Sequence, residues 1–143
     1  MTLYSAKQQT RKRLKAVLSE LSSDAMLEKS YLIADRLFVS RWWNDADTVL
    51  AFCSMPREVD TSFILARAIE QVKTVGIPRV HGDELIFHRL RELDANFSIG
   101  MFDIREPASD WPVLDVNTMR IGKLLIITPG LAFDRSLNRL GRG

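Results

Sequence analysis

Four consecutive branched aliphatic residues, Leu124 to Ile127, stand directly before Thr128-Pro129-Gly130. An unbroken apolar run of this length predicts a strand buried on both faces, the habit of parallel sheets covered by helices. Proline lacks a ladder donor and glycine tolerates unusual dihedrals, so the strand must end there. Beyond the break come Asp134, Arg135, Arg139 and Arg142, with glycines at 130, 141 and 143. An arginine- and glycine-rich loop at the carboxyl end of a central strand is where an α/β protein would hold an anion.

A second run, Thr48 to Cys53, predicts the first buried strand. The loop Ser54-Met55-Pro56-Arg57-Glu58-Val59 follows it. Then comes a helix capped by Asp60 or Thr61, with the stripe Leu65, Ala68, Ile69 and Val72. Strand, loop and helix open a βαβ unit, and ligands gather at the loops on the carboxyl ends of its strands. Glu58, in that loop, is the carboxylate best placed to orient a ligand. Thr74–Val80 predicts a further strand, interrupted by Gly76 and Pro78. Leu85–Phe87 predicts an edge or hairpin strand. Residues 98–107 read as a loop carrying Phe102, and Pro107 and Pro112 suggest an extended connection.

Ahead of this unit stand two helices. Residues 3–21 place Leu14, Val17, Leu18 and Leu21 on one face, predicted to meet the core, and the same stripe runs back to Arg11 and Lys7. Either these two cations snorkel into water at the domain rim, or they enter a cleft and meet phosphates. Lys12, Arg13 and Lys15 read as a solvated face. A second helix, residues 24–41, carries Leu27, Tyr31, Ala34 and Phe38, with Trp42 and Trp43 packing at its end.

At 143 residues and 46% hydrophobic, the chain suits a single domain with a real core. No apolar run approaches the ~20 residues of a membrane span, and the basic, polar N-terminus does not resemble a signal peptide. The single cysteine, Cys53, predicts a reducing, cytoplasmic setting. His81, Asp83, Glu84 and His88 match no compact metal-ligand spacing. No nucleophile has a base beside it, and neither a phosphate-loop pattern nor a dinucleotide glycine triad is present. What remains is cation from both ends of the chain: Lys7 with Arg11, and Arg139 with Arg142.

The run Pro129-Gly130-Leu131-Ala132-Phe133-Asp134, then Asn138-Arg139-Leu140-Gly141-Arg142-Gly143, resembles the C-terminal signature of the 5-formyltetrahydrofolate cyclo-ligase family. Other pieces fall in family order. Lys7 and Arg11 match a Lys-x-x-x-Arg, and Ser54-Met55 with Glu58 and Thr61 matches the segment after the first strand. Ile77-Pro78-Arg79-Val80 resembles the second strand, and Gly100 with Ile104-x-Glu106-Pro107 a later loop. The resemblance implies a three-layer, doubly wound, mostly parallel α/β sheet of Rossmann-like type in a single domain, residues 1–143.

It also implies a reaction. The formyl oxygen of 5-formyltetrahydrofolate attacks the γ-phosphate of ATP, a folate nitrogen closes the ring, and phosphate leaves. The products are 5,10-methenyltetrahydrofolate, ADP and phosphate, and Mg2+ is required. By position, Lys7, Arg11, Arg139, Leu140, Gly141, Arg142 and Gly143 would face ATP. Cys53, Glu58 and Phe102 would contact the folate, and Arg142 would be the catalytic cation at the transferring phosphoryl group. No metal ligand is assigned, and the protein is expected to be a monomer that binds neither nucleic acid nor membrane. The family signature continues past Gly-Arg-Gly into Gly-Tyr-Tyr-Asp, so the resemblance implies a chain incomplete at its C-terminus and weakly active at most. The alternative is a non-catalytic nucleic-acid or phosphate-ligand binding module, which would lose affinity steeply with salt. A different phosphotransferase on the same fold is the other.

Overall fold

The computed structural model describes residues 2–93, 95–100 and 103–142. Its helices are α1 (Leu3–Ser19), α2 (Ser23–Phe38), α3 (Arg41–Asp45) and α4 (Ser62–Glu70). Its strands are β1 (Thr48–Leu50), β2 (Thr74–His81), β3 (Glu84–Leu90), β4 (Ser98–Ile99), β5 (Arg105–Glu106), β6 (Leu124–Ile126), β7 (Ala132–Phe133) and β8 (Arg139–Leu140). The main sheet runs β3-β2-β1-β6; β1 is parallel to both neighbours and β3 is antiparallel to β2. This is the mixed α/β class with a mostly parallel sheet that the two aliphatic runs predict.

Val49, Ala51, Val75 and Ile77 share one face of the sheet, as residues two apart on paired strands must. Against them pack Ala34 of α2 and Ile64, Leu65 and Ala68 of α4. A side chain such as Ile77, with no exposure, contributes about 1.5–3 kcal/mol by leaving water. Ser22 caps α2 through its Oγ to the Ala25 amide at 3.1 Å. At α4 the capping oxygen is Asp60 Oδ1, 2.9 Å from the Ser62 amide, while Thr61 makes no side-chain cap bond.

Several expectations change. The central strand is β1, not the run at Leu124. β6 has one neighbour among the described residues, and only its helix side is covered: Leu125 and Ile127 pack on the core, while Ile126 is 55% exposed. The strand starting at Thr48 stops at Leu50, so Cys53 lies three residues past its end. The registers explain the stop. Continued one step, the donors owed to the Ala51 and Phe52 carbonyls would come from residues 78 and 129, and both are proline. The Phe52 carbonyl accepts from Thr61 Oγ1 at 2.7 Å instead.

Helix α1 buries no residue; its Leu14-Leu18 stripe is half-buried and Val17 is exposed. In α2 the buried positions are Ser30 and Ala34, whereas Leu27 and Tyr31 are largely exposed. Trp43 is core, donating to Gln71 at 2.9 Å, whereas Trp42 is exposed. β2 and β3 form the expected hairpin, closed by Gly82 at φ 61. No helix of the described residues is long and apolar enough to cross a membrane.

Candidate active site

The candidate residues of the loops lie past the carboxyl ends of β1 and β6. Past Pro129 the chain forms a hairpin rather than an open loop: β7 and β8 pair, with Ala132 opposite Leu140 and Phe133 opposite Arg139. Asp134 shapes its turn. Its Oδ1 accepts from the Ser136 and Asn138 amides at 2.9 Å and its Oδ2 from Asn138 Nδ2 at 2.9 Å. These hydrogen bonds, the Asn138 side chain first, hold the Asp134 carboxyl below its ordinary value. Arg139 Nη1 donates to the Pro129 carbonyl at 2.7 Å, pinning the hairpin to the end of β6. A Cβ at Gly130 would sit 2.6 Å from Phe133 Cζ, so a side chain there would displace the exposed Phe133 ring.

The hairpin returns the chain to α1. Arg11 Nε donates to the Gly141 carbonyl at 3.0 Å and Lys15 Nζ to the Arg142 carbonyl at 3.3 Å. Arg142 reaches the other way: its Nη1 lies 3.7 Å from Glu58 Oε1. Glu58 is almost enclosed, and its Oε2 accepts from the Met55 amide at 2.8 Å, which closes the loop after β1 on itself. The pair is largely removed from water, so it is less screened by solvent and salt than a surface ion pair.

Thus Arg11, Glu58, Gly141 and Arg142 meet in space, with Arg139 and Leu140 on the adjoining hairpin strand. The residues of α1 divide differently from the expectation. Lys15 is not merely a solvated face, for it holds the C-terminal segment. Lys7 is exposed and makes no hydrogen bond or ion pair among the described residues. The spacing 7, 11, 15 carried the signal for Lys15, because four-residue steps stay on one helical face. Phe102 and Gly143 lie outside the described residues.

Two clefts flank this junction, one on each face of the sheet. A cleft of about 310 Å3, lined by Cys53, Glu58, Pro78, Phe87, Ile104 and Glu106, opens on the face away from α2 and α4. Another of about 270 Å3 lies on the helix side, between Leu37, Ile64, Ile127 and Phe133. Glu58 lines both, so one carboxylate stands at the crest between two apolar spaces. Cys53 is buried, and burial pushes its thiol above the ordinary 9.0 despite the nearby Arg105 guanidinium. Glu106 is a buried acid to which the sequence assigns no role. His88 is buried and structural, its Nδ1 2.8 Å from the Trp111 carbonyl. Among the described residues no three His, Cys, Asp or Glu side chains cluster as metal ligands.

Fold and site together define a class: an α/β protein whose arginines and C-terminal backbone meet beside apolar clefts at parallel strand ends. Within that class the chain belongs to the 5-formyltetrahydrofolate cyclo-ligase family, whose model matches residues 4–143. It is 32% identical over 155 residues to the mouse 5-formyltetrahydrofolate cyclo-ligase, covering all of this chain and 72% of the mouse protein. It is 29% identical over 140 residues to a probable 5-formyltetrahydrofolate cyclo-ligase of Schizosaccharomyces pombe, covering 96% and 67%. Its fold is similar to the NMR structure of Aquifex aeolicus 5,10-methenyltetrahydrofolate synthetase, with a TM-score of 0.80 at 24% identity over 96% of this chain and 67% of that one.

Proposed function

We propose that the protein converts 5-formyltetrahydrofolate to 5,10-methenyltetrahydrofolate, using ATP with Mg2+ and releasing ADP and phosphate. The observation that carries this reading is the junction of the two chain ends. Arg11 on Gly141 and Arg142 on Glu58 bring cations and a carboxylate together at the lip of an apolar cleft. The donor set suits nucleotide phosphates, since arginines and glycine-rich backbone are what phosphate oxygens bind. Lys7, Arg11, Arg139, Leu140, Gly141, Arg142 and Gly143 would hold the nucleotide. Magnesium travelling on phosphates asks for one or two carboxylates at most.

ATP, when bound, supplies the phosphoryl group that makes the formyl oxygen a leaving group. The chain's own part is positioning and charge balance, the main demands of phosphoryl transfer. Its one thiol is held protonated by burial, so Cys53 serves as a wall of the folate cleft and not as a nucleophile. Glu58 orients both the folate and the Arg142 guanidinium, Phe102 stacks on the flat ring, and Arg142 balances charge on the transferring group. The partners are then small molecules, and a cytoplasmic monomer binding neither nucleic acid nor membrane suffices.

Mixed with 5-formyltetrahydrofolate and Mg-ATP, the chain should generate methenyl absorbance that requires both compounds. Arg142→Gln should lower that rate by about 100-fold. Calorimetric titration with 5-formyltetrahydrofolate alone reads the folate cleft independently of turnover, and no binding there overturns the reading.

A further inference from the structure

A third cavity, of about 500 Å3, adjoins the apolar cleft, and Met55 and Glu58 line both. It lies between the first turns of α2 and the loop after β1, with Met26, Met55 and Pro56 as apolar surface. Four charged side chains stand in it: Arg57, Glu58, Asp60 and Arg105.

Glu58 takes the Met55 amide and is paired with the Arg142 guanidinium, whereas Asp60 takes only the neutral Ser62 amide at the start of α4 and keeps its charge in the cavity. The cations are differently placed. Arg57 Nη1 donates to the Leu18 and Leu21 carbonyls behind α1, which are neutral acceptors. Arg105 is exposed, rests over the Phe97 ring at 5.2 Å, and makes no ion pair among the described residues. With Glu58 matched by Arg142 and Asp60 offsetting Arg57, Arg105 leaves the cavity one positive charge in excess, which suits an anionic group. Successive residues of a strand face opposite ways, and β5 uses this: Glu106 lines the apolar cleft while Arg105 lines the cavity beside it.

Resting on the function proposed above, we propose that this cavity binds the glutamyl carboxylates of the folate, with Arg105 as their main partner. The substrate is itself divided in this way, a flat heterocycle at one end and an acidic amino-acid tail at the other. With the ring in the apolar cleft, the tail crosses Met55 and arrives at Arg105. A guanidinium meets a carboxylate through two parallel N–H donors, and at this exposure the attraction is screened by salt.

Calorimetric titration of the full 143-residue chain with two ligands tests this. One ligand is 5-formyltetrahydrofolate, and the other is the same molecule with its glutamate replaced by methylamine. The unaltered chain should bind the glutamate-bearing ligand about tenfold tighter at low salt, and less so as salt rises. Arg105→Gln should erase that preference and leave affinity for the methylamide unchanged, while Arg105→Lys should keep part of it. Equal binding of both ligands by the unaltered chain, or an Arg105→Gln variant that weakens both alike, overturns the inference. Binding of neither ligand overturns the parent reading and this inference with it.

Discussion

The thiol of Cys53 sits under the loop after β1, 7% exposed, and burial raises it above its ordinary value of 9.0. The folded chain therefore keeps this proton to higher pH than the unfolded chain does. Its contribution to stability is fully present below the ordinary value and is lost as pH rises through the folded one. Urea unfolding between pH 7 and pH 10.5 should show stability declining more steeply for the natural chain than for Cys53→Ala once the ordinary thiol value is passed. Parallel curves would refute this account. Glu58 stood out before the fold was known only by position, in the loop at the carboxyl end of a buried strand, where ligands gather. Its grip on Met55 and Arg142 was not readable, since neither bond follows from spacing. For Lys15 the spacing showed a face shared with Lys7 and Arg11 but not the partner, since the Arg142 carbonyl is 127 residues away.

At the scale of elements, two prolines on neighbouring strands decide where β1 ends, and so where the site loop begins. Gly76 on β2 is the other constraint. A Cβ there would come 2.5 Å from Leu50 Cδ2 and 2.7 Å from Leu114 Cδ1, so Gly76→Ala should cost about 1–3 kcal/mol by overpacking the face opposite the helices. A urea midpoint unchanged from the natural chain would mean that Leu114 does not press on β2. The apolar runs of β2 and β3 were legible, with β3 open as an edge or hairpin strand. The β4–β5 and β7–β8 ladders were not. Each strand has two residues, too few to show a period of two; β7–β8 takes its order from Asp134 and the backbone, and β4–β5 from backbone bonds, rather than from an apolar pattern. The α1 stripe misled because amphipathicity shows that a face is apolar, not that a core awaits it.

Over the whole molecule, the first helix belongs more to the site than to the core. It buries nothing, and its links to the rest include Arg11 on Gly141, Lys15 on Arg142 and the Arg57 guanidinium on the carbonyls of Leu18 and Leu21. Removing residues 1–19 should leave cooperative unfolding, at a cost of about 1–2 kcal/mol. It should also weaken ATP binding by at least about tenfold. Urea melts and calorimetry read the two effects separately, and a shortened chain that no longer folds would place α1 in the core after all. The sequence by itself determined the α/β class, the order of the main-sheet strands with the helices α1, α2 and α4, and the family, because all of these are written in contiguous residues. The tertiary structure alone decided that β1 is central and that β6 is covered on one face. It also decided that Lys15 and Arg11 grip the far end of the chain while Arg142 turns to Glu58. Those outcomes depend on pairings up to 130 residues apart, and the free energy of a distant contact leaves no mark on the local periodicity of either partner.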